Sequence, residues 1–120
     1  MKAKDIINKI AQVIYDKKGF NILALDLTKL NAFANFVIIA EGSVDIHVRS
    51  IAENIIKELK KEHIIPFHVE GLQEADWVVI DYFDIIVHIF KPEMREKYEL
   101  EKLYSQAEII DLKIKVEVEL

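Results

Sequence analysis

The sequence predicts a single-domain α/β fold, a mixed central sheet with helices packed on it. Three observations carry this. Helical and strand periodicities alternate along the chain in the order α-β-β-α-β-β-β-α. Two dense runs of β-branched and aromatic residues, Trp77–Asp81 and Asp84–Phe90, stand side by side around a short polar break. The chain has 120 residues, 52% hydrophobic and 31% charged, which suits one hydrophobic core and leaves no room for a second.

Each element has its own signal. Ile6, Ile7, Ile10, Ala11 and Ile14 fall at helical spacing, and Gly19 is placed to end that helix in a left-handed conformation. Ile22 to Leu27 reads as a first strand with Asp26 near its end, and 28–34 as a connection. Asn35 to Ala40 is apolar after its first residue, as a central strand covered on both faces should be. Gly42-Ser43 then turns the chain into the longest helix, with Ser43 expected as its N-cap. Val44, Val48, Ile51, Ala52, Ile55 and Leu59 form the stripe expected to be buried; Arg49, Glu53, Lys57, Lys60 and Lys61 read as an ordinary solvated face. Pro66 forbids continuation, and His68-Val69-Glu70-Gly71 is a short strand leading to the hairpin.

The hairpin organises the rest. Pairing centred between Tyr82 and Phe83 sets Trp77 opposite His88, Val79 opposite Ile86 and Asp81 opposite Asp84. One face is then aliphatic (Val78, Ile80, Ile85, Val87, Ile89), while the other mixes an aromatic, an imidazole and two carboxylates. Opposed carboxylates and the lack of Gly or Asn in the connection predict a distorted turn with Tyr82 and Phe83 partly exposed. After Phe90, Pro92 suits the first turn of a helical stretch in which Met94, Tyr98, Leu103 and Ala107 face inward or toward a partner. Residues 112–120 alternate strictly, which predicts a half-exposed edge strand; 1–107 is the expected domain and 108–120 a C-terminal extension.

Composition narrows the function. There is no cysteine, which excludes disulfides and thiolate metal sites and agrees with a reducing cytoplasm. No signal-peptide core and no run able to span a bilayer is visible, so no membrane partner is expected. The net charge of −5 argues against direct phosphate contacts. His47, His63, His68 and His88 have no zinc-site spacing, and no metal or cofactor is expected. His88 is expected to pack beside Trp77 or to bond a carboxylate such as Asp81.

Two functional constellations remain. A phosphate could sit on Gly42-Ser43 at a helix N-terminus, with Asp26, Asp81 and Asp84 offering oxygen ligands to Mg²⁺; that is the outline of a nucleotidyltransferase. A tight turn and a cap explain Gly42-Ser43 fully, and the segment Ser50 to Ile55, where such enzymes carry an acidic pair on a strand, reads as helix. The other constellation is an interface, with Trp77 and Tyr98 as aromatic anchors ringed by polar groups. His88 and Glu101 complete the residues assigned to partner contact.

The run Asp76-Trp77-Val78-Val79-Ile80-Asp81 followed by Asp84-Ile85-Ile86-Val87-His88-Ile89-Phe90 resembles the signature of the Iojap-related ribosomal silencing factors. Val69-Glu70-Gly71 before it matches as well, as do Arg95 and Tyr98-Glu99-Leu100-Glu101-Lys102-Leu103-Tyr104 after it. Upstream, Ala24-Leu25-Asp26-Leu27, Phe36-Val37-Ile38-Ile39-Ala40 and Gly42-Ser43 complete the pattern in order, over residues 3–107. Ala34-Asn35 stands where the family has Thr-Asp or Ser-Asp, and Phe83 where it has Gly. The resemblance implies a nucleotidyltransferase-like topology without catalytic activity. It implies a translation repressor that binds the large ribosomal subunit through its fourteenth protein and sterically blocks the small subunit. Little direct RNA contact is expected, and a homodimer is conceivable through the terminal strand.

Overall fold

The computed structural model describes residues 1–30 and 32–116. Helix α1 (Ala3–Asp16) buries Ile7, Ile10, Ala11, Val13 and Ile14, one apolar stripe at 3.6-residue spacing. It ends differently from expectation. Lys18 takes the left-handed conformation (φ 67°), and Gly19 is needed for space. A Cβ at Gly19 would lie 2.4 Å from Ile14 Cγ2 and 2.9 Å from the Ile14 carbonyl oxygen, to which Gly19 N–H donates.

The chain then forms β1 (Phe20–Asp26), β2 (Phe36–Glu41), α2 (Asp45–Lys60), β3 (His68–Glu70), β4 (Trp77–Asp81), β5 (Ile85–Phe90), α3 (Pro92–Tyr98), α4 (Leu100–Leu103) and β6 (Glu108–Ile109). The strands make one mixed sheet in the order β3-β4-β5-β2-β1-β6. β2 and β5 are parallel, and the other neighbours are antiparallel. Helices α1 and α2 cover one face over Ala24, Ile38, Ala40, Val78, Ile80, Val87 and Ile89. On the opposite face Leu23, Leu25, Val37, Ile39, Phe90 and Trp77 pack against Met94, Leu100, Tyr104 and Ala107 of the C-terminal segment. Val79 and Ile86 share that second face nearer the other end of the sheet and stay half-buried. Part of the sheet is therefore open.

The hairpin differs from its sequence-based register by two residues. Trp77 pairs with Phe90, Val79 with His88 and Asp81 with Ile86. A shift of two leaves every side chain on its expected face, because strand side chains alternate with a period of two. The shift also removes the carboxylate opposition. Asp81 Oδ1 instead accepts from Phe83 N–H at 2.7 Å, and the connection is completed by Phe83 in a left-handed conformation (φ 75°). Phe83 is exposed and Tyr82 half-buried, as the distorted turn required.

Helix α2 corrects two further expectations. Val44 occupies the N-cap position and no side chain caps the helix; the Ser43 N–H donates to His47 Nδ1 at 2.9 Å instead. His47 Nε2 donates in turn to the Lys17 carbonyl at 2.7 Å, which ties the end of α1 to this turn. Val44 is exposed, whereas Val48, Ile51, Ala52, Ile55 and Leu59 are buried.

The tail is not the strand its alternation predicts. The ladder with β1 covers Glu108 and Ile109 and closes with Ile110 N–H donating to the Ala24 carbonyl (2.8 Å); 111–116 form no strand, and 117–120 lie outside the described residues. Residues 113–115 run along α1, where helix side chains substitute for a neighbouring strand. Lys113 N–H donates to Asn8 Oδ1 (3.0 Å) and Lys115 N–H to Gln12 Oε1 (2.7 Å), while Gln12 Nε2 donates back to the Lys115 carbonyl (3.1 Å). Asn8 and Gln12 are four apart, one helical turn, and so meet alternate residues of an extended chain. Ile110 and Leu112 pack onto the core beneath.

Candidate partner-binding face

Trp77 opens β4, and its cross-strand partner Phe90 closes β5. The indole lies on the buried Phe90 ring, with centroids 4.8 Å apart and planes 28° apart. Helix α3 starts immediately after β5. Lys91 holds the junction through an ion pair with Asp76 (2.9 Å), and Pro92 supplies the first helical turn. Seven residues later Glu99 turns left-handed (φ 46°) and stops the helix, leaving Tyr98 against Trp77 at 4.9 Å. Tyr98 is 45% exposed and Trp77 half-buried. The result is an aromatic stack whose lower ring is core and whose upper rings reach the surface.

His88 faces the same stack from β5, 5.8 Å from the Trp77 ring. Trp77 Nε1–H donates to His88 Nδ1 at 3.0 Å. Burial pushes the imidazole down to about 4, so the ring is neutral at physiological pH. Of the two partners expected for His88 from sequence, Trp77 is the one observed.

Glu101 reaches this region through an intermediary. Arg95 of α3 pairs with buried Glu41 at the end of β2 (3.0 Å), approaches Glu101 with its Nε (3.7 Å), and donates to the Asn21 carbonyl. Asn21 Nδ2 also donates to Glu41 (2.9 Å). This network pins α3 to β1 and β2 and thereby sets Tyr98 over Trp77. Arg95 stands in the matching motif, yet its structural role depends on Glu41, 54 residues away, which the sequence does not announce. Arg49 is likewise more than a solvated charge: it clamps the loop before β4 by donating to the Leu72 and Gln73 carbonyls.

The phosphate and metal constellation does not come together. Asp26, Asp81 and Asp84 lie at the sheet end where β2 begins, and Gly42-Ser43 at the end where it finishes. The six-residue β2 separates them by roughly 17 Å. Each carboxylate also has a local partner. Asp26 accepts from Thr28 N–H and Oγ1, bonds that hold its carboxyl below the usual range. Asp81 accepts from Phe83 N–H, and Asp84 faces the Asn35 amide at 3.4 Å. Among the described residues no group of three His, Asp or Glu could hold a metal ion.

The family model described as "Ribosomal silencing factor during starvation" matches residues 1–119. The chain belongs to the ribosomal silencing factor family. It is 36% identical over 112 residues to a Bacillus subtilis protein named ribosomal silencing factor RsfS, covering 93% of this chain and 95% of that one. It is also similar to a mitochondrial Iojap-related protein of Arabidopsis thaliana, 28% identical over 102 residues, covering 81% of this chain and 55% of the relative. A crystal structure from Chromobacterium violaceum superposes with a TM-score of 0.85 at 28% identity, covering 88% of each chain. The two chains share this fold.

Proposed function

We propose that this protein represses translation by binding the large ribosomal subunit through its fourteenth protein, where it sterically blocks the small subunit. Family membership supports the broader statement, a ribosome-associated regulator of translation. The observation that carries the finer reading is the Trp77–Tyr98 stack, an aromatic pair at the surface beside the half-buried Val79 and Ile86. Aromatic anchors next to a desolvatable apolar shelf are what protein interfaces use to gain affinity.

Steric exclusion needs no chemistry. A 14.0 kDa domain seated where the two subunits meet keeps them apart while its affinity exceeds the competing contacts. The net charge of −5 favours a basic ribosomal protein and disfavours a seat on bare RNA, so partner contact falls to protein. Among the described residues no helix is long and apolar enough to cross a membrane. On this reading its place of work is the cytoplasm, where free ribosomal subunits meet.

Trp77→Ala tests the reading. A central aromatic anchor contributes about 2 kcal/mol, so binding to the purified large-subunit protein should weaken roughly thirtyfold. Large subunits should then rejoin small subunits at repressor concentrations that block joining with the native protein. Melts on the same samples should show a folded variant. A variant that binds and blocks normally would remove this face from the interface.

A further inference from the structure

The Trp77–His88 hydrogen bond fixes what this face can offer a partner. Trp77 Nε1–H is the donor and His88 Nδ1 the acceptor, at 3.0 Å. A neutral imidazole that accepts at Nδ1 carries its proton on Nε2. Among the described residues Nε2 has no hydrogen-bond partner. His88 keeps 8% of its surface, and it lies across from half-buried Val79, two residues from half-buried Ile86. The indole N–H, the usual polar handle of an interface tryptophan, is therefore already used inside the protein. An imidazole N–H takes its place at the floor of an apolar shelf.

We infer that the shelf of Trp77, Val79, Ile86 and His88 recognises a main-chain carbonyl flanked by apolar side chains, with His88 Nε2–H as the donor and Trp77 supplying contact area alone. This rests on the proposed docking face. Charge selects the acceptor. Glu70 and Asp81 project from β3 and β4 on the same face. A carboxylate or phosphate at His88 would meet these two acids beside a neutral imidazole, whereas a carbonyl carries no net charge.

The pair Trp77→Phe and Trp77→Phe/His88→Phe isolates the donor. Phenylalanine keeps a ring in the stack, and without the indole N–H the second change orphans no buried donor. Affinity for the purified fourteenth large-subunit protein should stay within about threefold of native in Trp77→Phe. It should fall about tenfold further in the double variant, the value of one hydrogen bond. A tenfold loss in Trp77→Phe alone, or no added loss in the double variant, overturns the inference. Imidazole ¹⁵N spectra of the native protein at pH 7 should show the Nε2–H tautomer, and an Nδ1–H tautomer also overturns it, whatever the variants' stability. Native protein that binds a large-subunit RNA fragment and not the purified protein would defeat the docking face itself, and the carbonyl with it.

Discussion

Arg95→Met should loosen the whole C-terminal segment. The Arg95 and Glu41 side chains retain only 13% and 8% of their surface, so the substitution leaves a carboxylate buried without its counter-charge. Breaking a fully buried pair from one side costs about 3–5 kcal/mol. Asn21 Nδ2 still donates to Glu41 at 2.9 Å, which lowers the expectation to about 2–4 kcal/mol. Unfolding entropy scales to roughly 0.25 kcal/mol/K for 120 residues, so Tm should fall by about 8–16 °C. Urea titration gives the free energy directly, and Glu41→Leu/Arg95→Met separates charge burial from lost contacts. Removing both charges should recover most of the loss, to within about 1 kcal/mol of native. An Arg95→Met cost below about 1 kcal/mol, or a double variant no better than the single one, would refute the argument that a buried ion pair pins α3. The same single variant should bind more weakly, because Tyr98 loses its fixed seat over Trp77.

Two further outcomes follow from the site's surroundings. Gly71 has φ +86°, and a Cβ there would lie 2.2 Å from the Trp77 carbonyl oxygen. Gly71→Ala should thus cost about 3 kcal/mol by urea titration and displace the start of β4, read as a red shift in the emission of Trp77, the only tryptophan; an unshifted emission with native stability would contradict it. His88 is pushed from 6.5 to about 4 by burial, so it remains neutral in the folded state while the unfolded chain takes up a proton. Its contribution is complete above pH 6.5 and is lost as pH falls toward 4. At about 1.4 kcal/mol per pH unit it amounts to about 3 kcal/mol. His88→Leu should flatten that part of the stability–pH curve relative to native, and parallel curves would refute the assignment.

The sequence carried the faces of this fold better than its connections. Strand parity survived an error of two residues in the hairpin register because the pattern marks which side chains share a face, not which sit opposite. The register itself depended on Phe83 adopting a left-handed conformation, a choice that local preference disfavours. Trp77 and Tyr98 each stood out, one ending the polar-mixed face and the other in an aromatic and charged segment, but their stacking was not legible. Nor was the network beneath them. Arg95 looks like any helix cation until the fold brings Glu41 to it. The tail shows the same limit: alternation specifies an extended backbone with two unlike sides, and says nothing about whether a strand or a helix's amide side chains receive its hydrogen bonds.

That last arrangement bears on how the molecule comes into being during its own synthesis. The ties from Asn8 to Lys113 and from Gln12 to Lys115 span 105 and 103 residues. Helix α1 is made before the segment that covers it, and its outer flank waits for the chain between them. At about 5–20 residues per second, the interval between making Asn8 and making its partner is on the order of 5–20 s. Through that interval the seam that Ile110 and Leu112 later fill stays open, so the nascent chain carries an uncovered apolar flank on α1 until they arrive.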